Sequence, residues 1–123
     1  MHGERLRVEL KTVAGVPMIH PFGEIDLYTV PDFENAISSA LDHGAKTIVV
    51  DLSDITYLDS SGLSALIVAY KKLAAQNGEL YIVAPKDPPA VRRVLEITRV
   101  DTFIHVRPTL DEVAKELSLP HAA

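Results

Sequence analysis

"TIVVDLSDITYLDSSGLSAL", residues 47–66, is the stretch on which the fold turns. Its first part, Thr47–Leu52, is nearly continuous in apolar residues, the pattern of a strand covered on both faces and therefore central in its sheet. From Leu63 onward, Leu66, Ile67, Tyr70, Leu73 and Ala74 recur at helical spacing, and Gly78 supplies a natural stop. A buried strand that passes through a loop into a helix is the unit of an α/β domain. The serines of "LDSSG" stand at the entrance to that helix.

The same alternation extends outward from this unit. "RLRVELKT" (5–12) sets Leu6, Val8 and Leu10 against Arg5, Arg7, Glu9 and Lys11, the period of a half-buried strand. "AGVP" turns the chain, and residues 17–23 form a second strand hairpinned on the first, weakened by Pro17 and Pro21, which are tolerated mainly at edges and strand ends. Pro31 opens a helix whose inner stripe is Val30, Phe33, Ile37, Ala40 and Leu41 and which ends at Gly44. After the helix ending at Gly78 comes the buried strand "ELYIVA". A third helix is expected to be capped by Asp87, with Pro88 in its first position and Val91, Val94 and Leu95 inward. The strand "TFIHV" and a fourth helix, capped at Thr109 with Leu110, Val113, Ala114 and Leu117 inward, complete the chain. Strands joined through helices pair in parallel by right-handed crossovers. The expected fold is therefore a single α/β domain over 1–123, with its core at about 5–118. It has four helices on a mixed, mostly parallel sheet that begins with an antiparallel hairpin, and "SLPHAA" frays at the end.

Composition narrows the function. The 123 residues are 47% hydrophobic and 24% charged, ordinary for a folded domain and unlike a disordered chain. There is no cysteine, which excludes disulfides, thiolate nucleophiles and Cys-based zinc sites. The charged start "MHGERLRVEL" is not a signal peptide and no apolar run reaches bilayer length, so a cytoplasmic protein without a membrane partner is expected. Net charge is −5, and residues 24–59 carry eight acids against Lys46 alone. That balance argues against nucleic acid. It leaves either a solvated surface or one aimed at a basic partner.

Three chemistries at the serines can be weighed from spacing. A hydrolase would need G-x-S-x-G, but Leu58 and Asp59 stand where the first glycine belongs, and none of the five histidines (His2, His20, His43, His105, His121) is spaced to serve Ser60. A P-loop would need G-x-x-x-x-G-K, and the six glycines are scattered. Glu24, Asp26, Asp51, Asp54 and Asp59 are hard oxygen ligands that could gather around Mg²⁺, although loop carboxylates ordinarily serve as caps and turn formers. No catalytic residue, cofactor or metal is assigned. The plain structural role of "LDSSG" is that Asp59, Ser60 or Ser61 caps the helix.

"GEIDLYT" (23–29), "IVVDLSDITYLDSSGLSAL" (48–66) and "KKLAAQNGELYIVAP" (71–85) together resemble the STAS domain of bacterial anti-sigma factor antagonists. The resemblance spans nearly the whole chain and implies a partner-switching regulator, not an enzyme. An anti-sigma factor that is itself a serine kinase would phosphorylate the first Ser after the motif's Asp, which is Ser60. The unphosphorylated protein would bind that factor and release sigma, and a serine phosphatase would restore it. Glu24, Asp26, Asp59, Ser61, Gly62 and Ser64 are the expected partner contacts around Ser60, with Gly62 placed where backbone and partner approach closely. His20 and Pro21 depart from the family's usual apolar residues in the second strand. A STAS module of a lipid-transport or sensory complex would keep the fold and lose the kinase. A phospho-aspartate receiver domain would place its acceptor at Asp51. However, "ELKTVAG" lacks a receiver's acidic pair and leads into a strand, and Arg107 stands where receivers carry Lys.

Overall fold

The computed structural model describes residues 5–119; the terminal "PHAA", His2 and His121 lie outside the described residues. In chain order the elements are β1 (Arg7–Val13), β2 (Val16–Ile25), α1 (Val30–Asp42), β3 (Thr47–Asp51), β4 (Ile55–Leu58), α2 (Ser60–Ala74), β5 (Glu79–Val83), α3 (Ala90–Ile97), a 3₁₀ turn (Val100–Thr102), β6 (His105–Arg107) and α4 (Leu110–Ser118). The sheet order is β1-β2-β3-β5-β6, with β4 attached to β2. β1 and β2 pair antiparallel and every other pair is parallel. A hairpin with no helix between its strands removes the receiver topology.

Side chains alternate across the central strands. Ile48, Val50, Leu80 and Ile82 meet α1, α2 and α3 on one face, while Val49, Tyr81 and Val83 meet Val113 of α4 on the other. Three helices cover the first face and one short helix covers the second. Phe33, with no exposed surface, anchors α1 in the larger core, a burial worth about 1.5–3 kcal/mol.

β2 is longer than expected and is an interior strand, so its prolines need a reason other than an edge. The reason is parity. A two-residue turn, Ala14–Gly15 with positive φ at both positions, makes Val13–Val16 the closing hydrogen-bonded pair, so Thr12–Pro17 and Val8–Pro21 fall at positions where β2 owes β1 no hydrogen bond. On the other side β2 pairs β3 only at Met18 and Ile19. His20 thus sits in a regular ladder opposite Glu9.

Two further expectations are corrected. α3 begins at Ala90, with Pro89 at its N-cap and no side-chain cap from Asp87. A residue that precedes proline is driven out of the helical region, so Pro88 cannot begin a helix in front of Pro89. The last strand is His105–Arg107, because Val100–Thr102 close a 3₁₀ turn and Ile104 is spent on the core.

Candidate functional site

Strand β4 builds the site. It pairs with β2 beyond an irregularity at Gly23/Glu24, setting Glu24 beside Tyr57 and Ile25 beside Leu58, and the Asp59 N–H donates to the Ile25 carbonyl at 3.2 Å. The turn after β2 and the start of α2 are thereby brought side by side. In the turn, the Asp26 carboxylate accepts from Tyr28 N at 2.9 Å and Thr29 N at 3.1 Å, and the Thr29 hydroxyl donates to the Glu24 carbonyl at 2.8 Å. These bonds hold the entry to α1 against the mouth of α2.

Asp59, in extended conformation, is the N-cap of α2: its Oδ1 accepts from Ser61 N at 2.8 Å and Gly62 N at 3.3 Å. Of the three capping candidates the carboxylate takes the role. Ser60 is then the first helical residue and is exposed, and its hydroxyl has no hydrogen-bond partner among the described residues. Ser61 is half-buried. Ser64 and Val68 lie on the outer side of α2, while Ala65 and Ala69 are buried where Ile37 and Leu41 of α1 approach.

Gly62 has a different place from the one its motif implied. It is buried, and a Cβ there would collide with Leu58 Cδ1 and lie 2.8 Å from Ile25 Cγ2. The missing side chain is required by packing of α2 onto the β2–β4 junction, inside the chain.

Glu24 is exposed, and Asp26 and Asp59 are half-buried where the turn after β2 meets the start of α2. Asp51 and Asp54 belong elsewhere: Asp51 is buried and accepts from Ser53 N, and Asp54 holds His20 Nε2 at 2.7 Å, with Asp51 Oδ2 3.8 Å from the same nitrogen. The His20 ring stacks on Phe22 at 4.3 Å. Among the described residues no group of three or more His, Asp or Glu side chains is placed to hold a metal ion, and no helix is long and apolar enough to cross a membrane.

Reading by motif missed the apolar part of this surface. Leu27 (68% exposed), Tyr28 and Tyr57 border the acidic turn and the start of α2, and Val68 lies further along the helix. The available signal was the pair Leu27–Tyr28 inside an otherwise polar turn, since apolar side chains there have no core to enter.

A family model for the STAS domain matches residues 7–113. The anti-sigma-B factor antagonist of Staphylococcus aureus (strain NCTC 8325 / PS 47) is 36% identical over 84 residues, 68% of this chain and 76% of that protein. This chain belongs to the STAS-domain family of anti-sigma factor antagonists. Among solved structures, an anti-sigma factor antagonist from Mycobacterium paratuberculosis superposes with a TM-score of 0.83 at 32% identity, covering 91% of this chain and 93% of that chain. The Bacillus cell fate determinant SpoIIAA in its phosphorylated form shares the fold, with a TM-score of 0.64 at 24% identity over 91% and 98% of the two chains. The candidate site of this STAS domain is thus an exposed hydroxyl on a capped helix, with acids and exposed apolar side chains on the neighbouring turn and strand.

Proposed function

We propose that Ser60 is the acceptor of a regulatory phosphate. In this reading the unphosphorylated protein binds an anti-sigma factor that is also its serine kinase, so that sigma is released, and a serine phosphatase restores the binding form. The observation that carries it is the division of labour at the mouth of α2. Asp59 takes the cap and Ser61 is half-buried, which leaves Ser60 exposed and unpartnered.

The geometry supplies a reason for the switch. Phosphate adds about −1.5 to −2 charges and three acceptor oxygens. The dipole of α2 favours an anion at its start. The N–H groups of Ser61 and Gly62 are already taken by Asp59, so the phosphate stands outside a filled cap, beside Asp59 and the Asp26 turn. Its charge faces the partner. A surface of Leu27, Tyr28, Tyr57, Ser64 and Val68 that docks an apolar and basic counterpart then carries a new hydrated group at its centre.

Intact-mass measurement after incubation with ATP and the cognate anti-sigma kinase tests the assignment. One phosphate is expected on the wild type and on Ser61→Ala, and none on Ser60→Ala, which still binds the kinase. Ser60→Asp is expected to bind more weakly than wild type. Phosphate mapped to Ser61, or wild-type binding by Ser60→Asp, would overturn the reading.

A further inference from the structure

The first strand of the sheet has an unpaired outer edge among the described residues, since β1 pairs with β2 alone. The parity set by the hairpin turn decides which groups that edge offers. Glu9 and Lys11 exchange hydrogen bonds with β2, whereas Val8, Leu10 and Thr12 direct their N–H and C=O groups away from it. Leu10 is 64% exposed, on the α1 side of the sheet, at the mouth of a groove of about 380 Å³ whose lining includes Ile19, Ala36 and Ala40. On the opposite side of the strand stand Arg7, Glu9 and Lys11, with Glu9 ion-paired to Arg7 and, at 3.2 Å, to Lys11.

This strand is complementary to itself over its whole length in the register centred on Leu10. We propose that the protein self-associates through β1, two copies pairing antiparallel about a twofold axis at Leu10, so that one sheet runs through both. In that register Val8 faces Thr12 and Leu10 faces Leu10 in hydrogen-bonded positions. Glu9 faces Lys11, and Lys11 faces Glu9, in the intervening close pairs where cross-strand charges interact most strongly. Sliding the pairing by two residues keeps the backbone bonds but sets Glu9 against Glu9 or Lys11 against Lys11. Sliding it by one residue turns the outward groups of one strand against the inward groups of the other. Charged side chains on an edge ordinarily deter pairing with arbitrary strands. Here their order deters the two adjacent in-phase registers, and slides of four residues leave only three residues of each β1 strand opposite one another. The axis leaves the start of α2 uncovered, because Ser60 adjoins the far end of β2.

Sedimentation of the full chain over a concentration series is expected to show a monomer–dimer equilibrium. Either reversal, Glu9→Lys or Lys11→Glu, sets like charges opposite each other and is expected to weaken the dimer by roughly tenfold or more. The double variant Glu9→Lys/Lys11→Glu restores opposite charges and is expected to recover it. Lys11 is exposed and Glu9 half-buried, and neither belongs to the core, so circular dichroism and the unfolding midpoint should report a folded chain in all three variants. At concentrations where the dimer forms, the amides of Val8, Leu10 and Thr12 gain protection from hydrogen exchange, while those of Glu9 and Lys11 are slow at every concentration. A monomer throughout the series, a dimer indifferent to the single reversals, or a double variant that does not recover would each overturn the proposal.

Discussion

Gly62 shows how one residue can belong to a functional motif for a reason internal to the fold. Alanine in a helix is ordinarily better than glycine by about 0.5–1 kcal/mol, because the backbone loses less entropy. At Gly62 the added methyl would have to displace Leu58 and Ile25, both almost fully buried, and overpacking a core costs about 1–3 kcal/mol. The second effect is the larger. Gly62→Ala is therefore expected to lower the denaturant midpoint, and Gly62→Val, which is larger and β-branched, to lower it further. A Gly62→Ala protein as stable as wild type would show that the β2–β4 junction gives way to the methyl. The helix start itself could be read from "LDSSG", but the choice of cap could not. Asp59, Ser60 and Ser61 are all good caps, and only the extended backbone at Asp59, fixed by its bond to the Ile25 carbonyl, selects among them.

At the level of elements, the long periodic segments were legible and the short ones were not. β3, β5, α1 and α2 announce themselves through apolar runs or helical stripes, because their burial is extensive enough to impose a period. Strand β4 does not. It has four residues, with Ile55 and Leu58 buried and Thr56 and Tyr57 exposed, so it shows neither alternation nor a run, and its pairing depends on the distant Gly23. Since β4 joins the Asp26 turn to the start of α2, the expected grouping of Glu24, Asp26 and Asp59 near Ser60 rests on the family resemblance and not on any periodicity of the sequence. α4 presents the opposite case, a short helix with clear signals. Thr109 caps it by accepting from Glu112 N, and Arg107 of β6 clasps Glu116 through contacts of 2.5 and 2.9 Å. The hydrogen bond from Arg107 holds the Glu116 carboxyl below its ordinary pKa. The clasp therefore stabilises the fold fully above the ordinary carboxylate range, and that contribution disappears as pH falls through the depressed value of the folded state. Glu116→Gln is expected to be less stable than wild type at neutral pH, by about 1 kcal/mol for a half-buried pair still reached by solvent, with the difference closing in acid. Urea unfolding at neutral and acidic pH checks this, and a gap that widens on acidification would exclude the clasp as its origin.

For the molecule as a whole, the sheet is sealed by three helices on one face and by α4 on the other, and the proposed phosphate acceptor lies outside both cores. Phosphorylated and unphosphorylated protein are accordingly expected to unfold within about 1 kcal/mol of each other, the scale of a charge at an exposed helix start. Amide shifts on phosphorylation should be confined to the first turn of α2 and the turn after β2. Changes that spread into β5 or α4 would show that the two forms differ in conformation. The filled cap at Asp59 carries a consequence for how such a protein would hold a signal. Where the two forms share one shape, as the amide shifts are expected to show, nothing in the chain relaxes back after the modification is made. The fraction in each form at any moment would record only the competing rates of the enzymes that write and erase it, and its memory would last as long as one phosphoester bond.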